Sequence, residues 1–68
     1  MYLIGTRVTV IGTSRLPSSP RTKRLIGRTG TVALHENGLN IVTGLGPLGG
    51  LVGHAFADGD LVPADRSR

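Results

Sequence analysis

Glycine and proline recur so often along this chain that a long helix has no room to form. Eleven glycines and four prolines are spread through 68 residues. No window of eleven residues carries apolar positions at i, i+3, i+4 and i+7 without one of them breaking it. What survives between the breakers is alternation, so the chain is expected to be all-β. Core material is scarce, because Tyr2 and Phe56 are the only aromatics. A chain of this size hides only about 60% of the surface its unfolded form exposes, while ordering costs roughly 1.5 kcal/mol per residue. With no cysteine, disulfides and thiolate zinc sites are excluded. A small sheet fold remains, helped by self-association or by a ligand.

The alternation places five strands. Thr6 to Ile11 sets Val8 and Val10 on one face and Arg7 and Thr9 on the other. Arg28 to Leu34 follows, with Gly30, Val32 and Leu34 alternating against Thr29, Thr31 and Ala33. Asn37-Gly38 between two apolar runs is a strong hairpin signal, since both residues tolerate positive φ. Leu39 to Thr43 then forms strand three, and Leu51 to Phe56, weakened by Gly53, forms strand four. Asp58-Gly59 predicts a turn, a single 3₁₀ turn through Asp60, before a last strand, Leu61-Val62, stopped by Pro63. Residues 1–63 make one domain and 64–68 a frayed tail. The predicted core is Val8, Val10, Val32, Leu34, Leu39, Ile41, Val52, Phe56 and Leu61.

Charge divides the chain. Residues 1–30 hold six cations and no acid, and residues 31–68 hold two cations against four acids. Most of the cations fall in or beside residues 12–27, a run with two prolines and three serines that reads as one long exposed loop between strands one and two. Loops of this length inside a small domain are often functional. Arg7, Arg15, Arg21, Lys23, Arg24 and Arg28 are the candidate contacts for nucleic-acid phosphates, RNA or DNA. An acidic protein surface would suit the same cations, and so would plain solubility in water. Tyr2 is the only residue placed to stack on a base, which favours backbone binding over single-strand recognition.

Gly5-x-Arg7-Val8-x-Val10, with Gly27-x-x-Gly30-x-Val32 further on, resembles the KOW-type motif of SH3-like small barrels, found in ribosomal proteins and transcription elongation factors. The ending Phe56 to Asp65 is similar to the close of such barrels, where a short 3₁₀ turn precedes the last strand. Together these matches touch about half the chain. The resemblance implies a five-stranded SH3-like barrel, a fold that binds RNA, DNA, peptides or other proteins. The basic loop then makes non-enzymatic binding of nucleic-acid backbone the expected function, as an accessory to transcription, translation or a mobile element. Gly12 to Ile26 is an insertion relative to that motif, in which only a few residues separate strand and turn.

The other patterns point to less. Gly44-x-Gly46-x-x-Gly49 spells a dinucleotide fingerprint, but Pro47 lies inside it and no βαβ framework fits in this length. The leucines of that segment, Leu45, Leu48 and Leu51, are expected first to bury on the domain's own barrel, and second to form the candidate interface for a protein partner or a second copy of the chain. Pro17-Ser18-Ser19-Pro20 mimics a PxxP ligand, with its arginines out of position for either orientation. His35 with Glu36, and His54 with Asp58 and Asp60, lack a third convergent ligand. No metal, cofactor or catalytic residue is predicted. Met1 to Ile4 is apolar but stops at Gly5 and Arg7, with no basic leader and no run of membrane-spanning length. A soluble, cytoplasmic protein is expected.

Overall fold

Each predicted alternating stretch contains a strand. The computed structural model describes residues 1–45 and 52–64. Its elements are β1 (Arg7–Val10), α1 (Pro20–Lys23), β2 (Thr29–Glu36), β3 (Leu39–Thr43), β4 (His54–Phe56), a 3₁₀ turn (Asp58–Asp60) and β5 (Leu61–Pro63). All pairings are antiparallel, and the strand order across the single sheet is β4-β3-β2-β1-β5. The predicted closed barrel is not formed. β4 and β5 are the two edges, and they do not pair with each other among the described residues. Each is only three residues long, too short for the staggered ladder that closure needs, and Pro63 has no N–H to contribute. Residues 65–68, most of the predicted tail, lie outside the described residues, whereas Ala64 donates its N–H to Arg7 O at 2.9 Å.

The β2–β3 hairpin turns where the chain chemistry predicts. Asn37 and Gly38 have φ of 52° and 77°, the left-handed pair a two-residue hairpin loop requires. Register follows from that turn, with Glu36 opposite Leu39 and His35 opposite Asn40. Between Val32 and Leu34 the ladder slips, since Val32 faces Val42 but Leu34 faces Ile41. Ala33 is the extra residue of a bulge.

That bulge changes the core. Val8, Val10, Val32, Phe56 and Leu61 are buried as predicted, joined by Leu25, Val42 and Leu45. Leu34 is 44% exposed and Val52 55% exposed, while Leu39 and Ile41 are only half-buried. A slip of one residue moves side chains to the opposite face. Leu34 therefore follows Ile41 to the outer face, and Asn40 and Val42 take the inner one. Gly30 lies beneath them, where backbones approach closely. A Cβ there would press on Thr43 O and come within 2.9 Å of Leu45 Cδ2.

The inner face thus contains one fully buried polar side chain, Asn40, with every group satisfied. Its Oδ1 accepts from Tyr2 N at 3.0 Å, and its Nδ2 donates to Phe56 O at 3.2 Å and Asp58 Oδ1 at 2.7 Å. The Met1 ammonium meets the other Asp58 oxygen at 3.1 Å. His35 Nε2 lies 2.5 Å from Tyr2 O, so the N-terminal segment is clasped between β2, β3 and the 3₁₀ turn. The Asn40 amide, and then the Met1 ammonium, hold the Asp58 carboxyl below its ordinary pKa. Among the described residues, no helix is long and apolar enough to cross a membrane.

Candidate nucleic-acid interface

The long segment between β1 and β2 is an ordered excursion held at both ends. At its start, Ile11 N and Gly12 N donate to Asp60 O at 2.8 and 3.3 Å. Ser14 adds two bonds to the Asp60 carboxylate, from its N–H at 3.1 Å and its hydroxyl at 2.6 Å. At its end, Gly27 N donates to Val10 O at 2.8 Å and Val10 N to Arg28 O at 2.9 Å. The two limbs leave and re-enter the sheet side by side.

Within the excursion the structure corrects the reading of a helix-free loop, because α1 forms one α-helical turn. Ser19 is its N-cap. Ser19 Oγ accepts from Thr22 N at 3.3 Å, and Ser19 N donates to Thr22 Oγ1 at 3.2 Å. This is a capping box with threonine in place of the usual glutamate, and Pro20 at the first helical position needs no N–H partner. The Thr22 hydroxyl lies 2.6 Å from Pro17 O, which folds the proline limb back onto the turn.

Burial within the excursion has a period of three. Leu25 is buried, and Leu16, Ser19 and Thr22 are half-buried. Leu16 and Leu25 pack onto the core, so these four residues form the inner side of the excursion. Arg15, Arg21, Lys23 and Arg24 are all exposed on its solvent side. None of them is within ion-pair distance of a carboxylate among the described residues, where the one ion pair is Met1 with Asp58. The nearby acids have other partners. Asp60 binds Ser14, Asp58 binds Asn40 and Met1, and Glu36 sits at the hairpin end of β2, about 23 Å along the strand from Thr29.

The remaining two candidates lie apart from this group. Arg28 is turned onto backbone, its Nη1 donating to Leu45 O at 3.1 Å and its Nε to Arg24 O at 3.3 Å. It braces the excursion against the end of β3 and keeps part of its five-donor fork free. Arg7 is at the other end of β1, about 10 Å from Val10 along the strand, beside a shallow concavity lined by Thr6, Pro63 and Ala64.

Leu45 is 1% exposed. Its side chain fills the core against Gly30 and is not available to a partner, which corrects its place in the leucine interface. Leu48 and Leu51 lie outside the described residues, as does most of the glycine-rich pattern. Among the described residues no three metal-binding side chains cluster. His35 is a half-buried residue of β2, and His54 Nδ1 is buried without a partner among the described residues. Sequence reasoning missed Asp60 as the anchor of the excursion, because nothing local links it to Ser14. The capping box was missed as well, although its signal stands in the order Ser19-Pro20-x-Thr22. Comparison with protein-family models, curated proteins and solved structures finds no match to this chain.

Proposed function

We propose that this chain is a non-enzymatic SH3-like module that grips nucleic-acid backbone with Arg15, Arg21, Lys23 and Arg24, supported by Arg28 and extended by Arg7. The strand order β5-β1-β2-β3-β4 and the 3₁₀ turn between the last two strands support the SH3-like assignment. The observation that carries the function is the set of four exposed cations on an anchored excursion, with no carboxylate against them among the described residues. Guanidinium and ammonium groups left unneutralised in this way exchange bulk counterions for phosphates. The competing protein-contact reading is weakened by the burial of Leu45.

Salt dependence tests this directly. Four neutralised phosphates on B-form DNA predict a slope of log affinity against log salt of about −3.6, falling to about −0.9 when three of the cations are removed. Fluorescence anisotropy on the parent and on the Arg21→Ala, Lys23→Ala, Arg24→Ala triple variant measures both slopes. A triple variant that binds as tightly as the parent, with the same slope, overturns the proposal.

A further inference from the structure

We infer that the polyanion taken by this face is duplex nucleic acid, held chiefly by its phosphate rows. This rests on the phosphate-binding reading above and narrows its substrate class. Proteins that hold single strands stack successive bases on aromatic faces, and this return offsets the cost of ordering a flexible strand. Here both aromatics are committed elsewhere. Phe56 is 0% exposed in the core. Tyr2 packs on the core, its hydroxyl donates to Leu61 O at 3.1 Å, and its backbone is held on both sides by Asn40 and His35. Among the described residues, the guanidinium that makes side-chain hydrogen bonds, that of Arg28, is turned onto two carbonyls.

Amide side chains read adenine edges, hydroxyls read several bases, and arginine or lysine reads guanine. The chain has no glutamine, and its two asparagines are Asn37 in the hairpin turn and Asn40 in the core. The hydroxyls of Ser14, Ser19 and Thr22 are engaged within the excursion or with Asp60, and exposed Ser18 is the hydroxyl it leaves to solvent. What the excursion offers is positive charge on a pinned backbone. Its limbs are pinned by Asp60, Val10 O and two leucines, so the cations stand on a support of defined shape. A duplex presents phosphates at fixed spacing, one charge per about 1.7 Å of axis. A single strand would have to be ordered to meet them, with no stacking in return.

The test uses the whole chain and equal phosphate counts: a mixed-sequence DNA duplex, the RNA duplex of the same sequence, a second DNA duplex of unrelated sequence, and an unstructured deoxythymidine strand. Anisotropy should show duplexes bound about tenfold tighter than the single strand, roughly the contribution of one missing base stack. The two DNA duplexes should bind alike, and the DNA and RNA arms show which helical form fits better. Tyr2 is the only tyrosine and there is no tryptophan, so its emission reports stacking and should not change when duplex binds. A single strand that binds as tightly as duplex, or that quenches Tyr2 saturably, overturns the duplex assignment and leaves the phosphate reading standing. A chain that binds none of the probes overturns both.

Discussion

The β2–β3 hairpin and the basic excursion are neighbours in the chain, yet different forces hold them. The hairpin is built from near contacts: a two-residue turn, a ladder from Glu36–Leu39 upward, and valines facing one another at Val32 and Val42. The excursion is shaped by distant ones. Its first limb hangs on Asp60, 46 residues from Ser14, and its inner side adds Leu25 and Leu16 to a core made mostly by the strands. The hairpin is therefore the stable frame, and the excursion is a separately adjustable part whose shape can be lost while the frame persists. Both carboxylates of the 3₁₀ turn serve this division. Asp58 faces the hairpin and the N-terminal segment, Asp60 faces the excursion, and the exposed cations are left to solvent.

The largest effect should come from damage to the frame. Gly30→Ala forces a Cβ against Val42 Cγ1 at 2.8 Å and Leu45 Cδ2 at 2.9 Å, as well as the Thr43 carbonyl. Overpacking of this kind should cost about 3 kcal/mol, read as a lower urea midpoint with the whole chain melting together. A Gly30→Ala chain as stable as the parent would mean that the sheet can open there, and would blur the contrast.

Asp60→Ala should act on the excursion alone. It removes the acceptor of two Ser14 hydrogen bonds, about 1 kcal/mol of local stability. Hydrogen exchange at Ser14 and Leu16 should quicken while the Val42 amide stays protected. Charge by itself predicts tighter polyanion binding once an acid next to the cations is gone. Asp60 positions the excursion, so the expected result is weaker binding. Tighter binding would show that charge count outweighs shape.

Acid should attack the other carboxylate. The folded pKa of Asp58 is depressed, so its contribution is present above the unfolded value, near 3.9, and is lost as pH falls through the lower folded value. Melting temperature should fall on acidification across that window, and Asp58→Asn should remove this part of the dependence. Loss of protection should then begin at Asn40 and Tyr2 and not in the excursion. The smallest effect belongs to Ser19→Ala. Loss of the cap should cost the one-turn helix about 1 kcal/mol, visible as faster exchange at Thr22 with little change in global melting.

The same division explains what could be read from residues alone. β3 runs over Leu39–Thr43, the predicted bounds, because Asn37-Gly38 and the alternation around it act within a few residues. The predicted 3₁₀ turn forms at Asp58–Asp60 for the same reason. The inner-face assignment failed at Leu34, Leu39 and Ile41, since Ala33 bulges and a bulge leaves no mark in an alternating pattern. Of the candidate contacts, four lie exposed on the excursion, whereas the backbone bonds of Arg28 and the distance to Arg7 follow from how strands pair.

Residue order alone decided that this chain makes strands, where the hairpin turns, and that its positive charge collects between the first two strands. These depend on φ preferences, side-chain alternation and charge count, all of which act over a few bonds. Tertiary structure alone decided which face of β2 and β3 is inner, that the sheet ends in two unpaired edges, and that the excursion is fastened to Asp60 with its cations outward. Those outcomes depend on contacts between residues tens of positions apart, whose geometry exists only once the sheet has formed.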